Sequence, residues 1–471
     1  MKRTKSRAAA ALIVEAERAV AGLHELMGRV RGCFARIEPW VQAREYVRAV
    51  SSDLPERNGW TIAEWIGDRT PDKTQRLLNH AVWDTDQVMS HIRRYAVAGL
   101  DAAAGQAGHG RLLRIGALDE TGQEKKGQAT AGVKRQHMGC AGGVDNGINT
   151  VHLAYVRQRV GHTLIGCRQW IPAEQVADPD VAARMGLPAG AVFATKGQLA
   201  VRLLADAADD GVSMDFVAGD EVYGHNPDLR SHCETTGQGY VLRVRSTFTV
   251  TLGDGSGRAC KQIVGSMLWT HQRWQIVSAG PGDKGARDYA WAWVATASPV
   301  HWLLVRKHLR TGELAFHYCH VPAGRPVSLH LLVAAAGLRW PVEESFEFGK
   351  DLFGLDQSQV RRYEAIRRHT VLVMLALAVY AVAAAEARPR TDTQAPPPTG
   401  PDAPPPTDPG HTPLSIAALK NLVNALHPRH HGIDHTIHWQ NWRDRHRARA
   451  RWHHQRTRLR RPIQHAYPQL T

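Results

Sequence analysis

The stretch Val371–Ala385, VLVMLALAVYAVAAA, is uninterrupted apolar sequence and must be hidden from water wherever the chain folds. A membrane-spanning helix needs roughly 20 such residues, and much of this run is weakly apolar alanine. The expected state is therefore a buried core helix and no membrane association. With 471 residues and 43% hydrophobic content, the chain can build the core that such a helix needs, divided into two or three structural units.

A net charge of +15 and a sequence pI near 9.8 call for a polyanionic partner, nucleic acid or an anionic membrane surface. Without a span, nucleic acid is the better fit. The six cysteines lie far apart with no C-x-x-C spacing, which suits free thiols in a reducing, cytoplasmic setting. The opening MKRTKSRAAAALIVEAE is basic, but its apolar stretch stops at Glu15, too soon for a secretory signal.

Residues 1–105 read as a helical, DNA-binding unit. Within it, TIAEWIGD forms a short helix ended at Gly67, and TPDKTQRLLNHAVW opens a second with Thr70 as N-cap and Pro71 as first helical residue. Such a helix, turn, helix unit can present Lys73, Gln75 and Arg76 to a DNA groove, with Asp72 and Asn79 beside them. From Leu112 the pattern turns to short β-rich runs in the order β-β-β-α-β. Residues 240–326 read as a β-rich insertion, with Gly253–Gly257 as a hairpin turn, and helices return up to residue 387. A Pro-rich linker over 388–412 leads to 413–471, a short helix and a basic tail. Trp439, Trp442 and Trp452 are interleaved there with arginines suited to phosphates.

The chemistry concentrates in three segments. In ALDETGQEKKG an apolar strand ends on Asp119 and a turn carrying Lys125 and Lys126 follows; FVAGDEVYG repeats the pattern with Asp220. Two such acids on adjacent strands repel unless one is protonated or a divalent cation neutralises them, and Mg²⁺ suits carboxylate oxygens. In LRWPVEESFEFGK a helix starting at Pro341 sets Glu343, Glu347 and Lys350 on one stripe and Val342, Phe346 and Phe353 on the adjoining apolar one. Arg339 falls just before the helix, because a residue preceding proline avoids the α region. Glu120 and Glu221, next to the aspartates, face away from them, and Glu347 is the rival to Glu343. Near His225, His232 and Cys233, or Cys319 and His320, no paired zinc spacing occurs. Trp269, Trp274, Trp291, Trp293 and Trp302 read as core, with a base-stacking wedge as the alternative.

These three segments resemble the bacterial insertion-sequence transposases of the DDE superfamily, over most of residues 45–385. Arg339, Glu343 and Lys350 match the last three elements of that family's Tyr-x2-Arg-x3-Glu-x6-Lys signature; Ala336 stands at the tyrosine position. The resemblance implies an α/β fold with an RNase H-like core spanning 106–387, a mixed sheet flanked by helices and interrupted by the β-rich insertion. It also implies a metal-binding triad of Asp119, Asp220 and Glu343 carrying two Mg²⁺ ions, with Mn²⁺ as substitute, and Arg339 and Lys350 on the DNA end. The implied reaction is cleavage of element ends and their joining to target DNA by two-metal phosphodiester chemistry. The implied partners are double-stranded DNA and a second copy in a synaptic homodimer. The alternative is a transposase-derived DNA-binding protein or repressor without strand-transfer activity.

Overall fold

The computed structural model describes residues 2–108, 112–282, 285–400 and 402–460. Helices come first: α1 (Lys2–Arg29), α2 (Ile37–Val50), α3 (Gly59–Ile66), α4 (Asp72–Asn79) and α5 (Thr85–Gln106). Strands follow, β1 (Arg114–Glu124), β2 (Lys134–Met138), β3 (Gly143–Arg157) and β4 (Gly161–Gln169), then α6 (Ala173–Ala177), α7 (Pro179–Met185) and α8 (Lys196–Asp209). Next come β5 (Phe216–Gly219), α9 (Glu221–Gly224), α10 (Pro227–Thr235), β6 (Gly239–Val244), the hairpin β7 (Thr249–Thr251) and β8 (Gly257–Ala259), and α11 (Cys260–Met267). The chain continues through β9 (Gln275–Gly282), β10 (Gly285–Ala295), β11 (His301–Lys307) and β12 (Leu314–His320). It closes with α12 (Leu329–Gly337), α13 (Pro341–Glu347), α14 (Tyr363–Thr391), α15 (Ile416–Leu426) and α16 (Ile433–Arg460).

The strands form one large mixed sheet in the order β2-β3-β1-β5-β6-β12-β11-β10-β9, with β4 paired to β3. β1, β5 and β6 are parallel neighbours and the other pairs are antiparallel. The strand β5 is wholly buried, as expected where parallel strands are covered on both faces. In the outer part of the sheet, residues alternate between two environments. Val244, Leu303, Val305 and Phe316 join a small apolar core with α11 and the β7-β8 hairpin, while their neighbours point to the opposite face.

The apolar run Val371–Ala385 lies inside α14, whose most apolar 18-residue window is 89% buried within the protein. It packs against α5, α2, α1 and α4 on the helical side and against β4 of the sheet. One continuous apolar cluster therefore runs from Ala19 to Leu419 through α14, joining the leading helices to the sheet.

Three local expectations need correction. Helix α4 starts at Asp72, so Thr70 does not cap it; the Thr70 hydroxyl instead donates to the Asp72 carboxylate at 2.8 Å. Strand β1 does not end at Asp119 but runs five residues further, because β3 keeps pairing with it to Glu124. Trp340, although it precedes Pro341, takes helical dihedrals (φ −51°, ψ −41°), so a helical turn carries the chain into α13 without an extended break. After Glu347 the helix widens into a π turn over Phe348–Leu352.

Helix α3 ends at Gly67, whose φ of 96° suits glycine alone among ordinary residues. The backbone carbonyls at that end are closed by side chains from residues 429–439. Arg429 reaches the Ile66 carbonyl at 2.9 Å, His431 that of Trp65 at 2.9 Å, His435 that of Glu64 at 2.9 Å and His438 that of Arg69 at 2.7 Å. The fully buried indole of Trp439 donates to the Asp68 carbonyl at 2.9 Å. Carbonyls that a helix end leaves without partners are thus satisfied by the far end of the chain. Beyond Trp442 and Arg443, α16 runs exposed through Arg445, Arg447, Arg449 and Arg451.

Candidate active site

The parallel pairing of β1 with β5 sets Leu118 opposite Gly219. Asp119 follows Leu118 on β1 and Asp220 follows Gly219 just past the end of β5, so two residues 101 positions apart in sequence come together at the sheet's parallel centre. Asp220 also caps α9, its Oδ1 accepting from the Val222 amide at 2.8 Å. Asp119 accepts from the Glu120 amide at 2.8 Å.

Helix α13 brings the third acid. Its buried face, Val342, Ser345 and Phe346, lies over β1, β3 and β4. Phe346 packs edge-on against His152, the residue opposite Asp119 on β3, with ring centroids 5.3 Å apart. Ser345 bonds His162 on β4 at 2.7 Å, and Glu344 meets the same imidazole at 3.1 Å. Glu343, on the adjoining face, reaches Arg339.

Arg339 stands between them. Its Nη1 lies 2.6 Å from Asp119 Oδ2 and its Nη2 2.5 Å from Glu343 Oε1, with Asp220 close enough to contribute to its field. Burial pushes the Asp119 carboxyl up to about 7, with Arg339 opposing the rise and Asp220 adding to it. Burial also raises Asp220, helped by Glu120. For Arg339, burial works against the charge, but Asp119 and Glu343 outweigh it and raise its pKa. Among the described residues no group of three or more His, Cys, Asp or Glu side chains converges closely enough to hold a metal ion; Asp119 and Glu343 are instead held by one guanidinium, with Asp220 within its field.

The expected non-ligands have other work. Glu120 takes Lys196 Nζ at 2.5 Å on one oxygen and the Tyr223 hydroxyl at 2.9 Å on the other, and Glu221 pairs with Arg243 and Arg245. Glu347, the rival to Glu343, is exposed. Of the expected DNA contacts, Lys125 is turned inward, donating to the Ser358 carbonyl at 2.6 Å, and burial lowers its pKa to about 8. Lys126 is exposed. Lys350, carried by the π turn, lies by Thr121, Gln123 and His152, the last being the residue opposite Asp119 on β3. On α4, Lys73, Gln75 and Arg76 are exposed on one face, Lys73 pairing with Asp68 at 2.7 Å. Lys196 and Tyr223, which position Glu120, went unread in the sequence. The cue was there: Tyr223 falls three residues after Asp220, one helical turn on.

All three acids offer oxygen donors, the set that suits a hard divalent cation such as Mg²⁺ or Mn²⁺. A pair of buried, neighbouring carboxyls with raised pKa is the electrostatic situation that added positive charge relieves.

The description "DDE superfamily endonuclease" matches residues 29–257, and "Transposase DDE domain" matches residues 181–379. Both matches are to models of the DDE superfamily. Asp119, Asp220 and Glu343 all fall within the matched segments. The chain is also 28% identical, over 205 residues, to the probable transposase for insertion sequence element IS701 of Microchaete diplosiphon. That alignment covers 43% of this chain and 48% of the relative, so the match spans about half of the relative's length. Among solved structures, a piggyBac transposase synaptic complex with hairpin DNA is similar at 10% identity and a TM-score of 0.38, over 88% of this chain and 77% of that one.

Proposed function

We propose that this chain is a DNA transposase with an RNase H-like core, acting on double-stranded DNA through Asp119, Asp220 and Glu343. The observation that carries the reading is the register of β1 on β5, which sets two acids side by side, with a third tied to Asp119 through Arg339. The strand order β4-β3-β1-β5-β6, three antiparallel strands followed by two parallel to β1, supports the RNase H-like assignment. In this reading residues 1–105 bind DNA, 106–387 are catalytic with an insertion at 240–326, and 413–471 add a basic arm after the 388–412 linker.

The three carboxylates would hold two Mg²⁺ ions. Bound there, the ions supply an activated water or DNA 3′-hydroxyl and charge neutralisation at the departing 3′-oxygen. The chain's own contribution is positional. Arg339 must release Asp119 and Glu343 before their oxygens can turn to a cation, and its freed guanidinium matches a DNA phosphate by its two-pronged geometry. Two copies would act together, since two DNA ends have to be joined.

The test is nicking of duplex DNA in Mg²⁺ or Mn²⁺ by the full chain and by Asp119→Asn, Asp220→Asn and Glu343→Gln. The expected result is loss of at least a hundredfold in rate with duplex binding retained. Metal-dependent nicking that survives all three substitutions would overturn the assignment. Duplex binding without nicking in any metal would favour a repressor-like binder.

A further inference from the structure

Next to the acid set, the other side of Arg339 faces a cavity of about 80 Å³ between the outer sheet and the end of α12. Its walls include Arg243, Arg287, Arg306 and His317 as well as Arg339, and they contain no acidic side chain. The sheet builds this cluster by alternation. His317 on β12 lies opposite Arg243 on β6, and Arg306 on β11 lies opposite both Ala315 on β12 and Trp291 on β10. Their sequence neighbours Val244, Val305 and Phe316 face the apolar core on the far side, so Arg243, Arg306 and the neutral His317 all face α12.

Two donors in the cluster have no partner. The buried Nε atoms of Arg287 and Arg306 make no hydrogen bond within the protein. Two of the arginines are charge-paired elsewhere, Arg243 with Glu221 at 3.2 Å and Arg339 with Asp119 and Glu343. Arg287 spends one nitrogen on the Ala279 and Gly337 carbonyls at 3.0 and 3.1 Å, and Arg306 lies over the Tyr289 ring at 4.6 Å. Neither has a carboxylate in contact. Buried donors are nearly always satisfied, and desolvated like charges repel, so a pocket of this make-up is explained by an anion that enters it. The cavity is far below the roughly 300 Å³ of a pocket for a drug-sized molecule, which leaves room for a phosphate group and not for a nucleoside.

We propose that Arg243, Arg287, Arg306 and His317 form a phosphate-binding site that seats one backbone phosphate of the DNA strand beside the carboxylates. This rests on the reading of the chain as a DNA-processing protein, and it gives the β-rich insertion a direct part in holding substrate. Arg339, as the wall shared by the cavity and the acids, links occupancy of one to release of the other.

Two measurements on the full chain test this. In the first, the melting temperature is compared in chloride and in inorganic phosphate at matched ionic strength. Phosphate is expected to stabilise the wild type, Arg306→Gln to lose the increment, and Arg306→Lys to keep part of it. Ala315→Leu, which fills the cavity and leaves every arginine in place, is expected to lose it as well. In the second, affinity for a 20-base-pair duplex is followed against salt, and the slope for Arg306→Gln should fall by about 0.9, one phosphate contact. An equal phosphate increment in the wild type and both Gln and Leu variants overturns the site. A phosphate response with an unchanged salt slope means a free-anion site only and overturns the backbone assignment. A wild type that binds no duplex at all overturns the underlying DNA reading, an outcome distinct from the other two.

Discussion

Arg339 Nη1 lies 2.6 Å from Asp119 Oδ2, and this contact places a fixed positive charge against the acid that burial has made hardest to ionise. The folded chain keeps a proton on Asp119 up to about pH 7, whereas the unfolded chain releases it near 3.8. Ionisation therefore destabilises the fold as pH rises from about 4 to about 7, with no further loss from this group above that. Asp119→Asn is expected to match the wild type in stability near pH 4 and to exceed it at pH 8, by roughly 4 kcal/mol at most. Urea unfolding at the two pH values checks this, and a variant less stable than wild type at pH 8 contradicts it.

The buried histidines give the opposite sign. Burial holds His152 and His317 down to about 3 and His369 to about 4, so each is neutral in the fold. The unfolded chain binds protons at these positions below about 6.5, and stability is lost as pH falls through that value. At pH 5 each histidine costs roughly 2 kcal/mol. His152→Leu should recover its share of that loss while leaving the stability near pH 8 little changed. Identical acid profiles for variant and wild type would sink the argument.

Gly337 ends α12 against β9, and a Cβ there would lie 2.0 Å from the Ala279 carbonyl oxygen. Backbone cannot give way as a flexible side chain does. Gly337→Ala should therefore push α12 off the sheet, cost roughly 1–3 kcal/mol, and displace Arg339 two residues on. The loss is read from chemical denaturation. Full wild-type stability in the variant would show that this end of α12 is free to move.

Trp439 is fully buried and donates to the Asp68 carbonyl between α3 and α4. Trp439→Ala removes both packing and donor, at a cost of roughly 3–5 kcal/mol if the loss is global. Hydrogen exchange should show faster amides in residues 62–80 with little change in β1, β5 and β6. Unchanged protection in that helix pair would mean that the contact does not brace it.

Much of the centre of the molecule was legible because its signals are local. Apolar runs ending on Asp119 and Asp220 read as strands carrying acids, and the fifteen apolar residues from Val371 read as an interior helix. The misreadings share one cause: a distant partner decides the outcome. β1 continues past Asp119 because β3 pairs with it, and Lys125 turns inward because the Ser358 carbonyl receives it. Arg243, Arg287 and Arg306 meet only through strand register, so no spacing in the sequence announces their cluster. The exposed face of Lys73, Gln75 and Arg76 was readable from α4 alone; that residues 429–439 close the turn beside it was not.

That closure has a consequence in time. Asp68 and its partner Trp439 are separated by 371 residues, so a nascent chain carries α3 and α4 without the donors that finish them. At about 5–20 residues per second, the interval is on the order of half a minute. A ribosome that stalls or a message that is cut short leaves a helix pair with its carbonyls open, and only a chain translated through residue 439 can shut them.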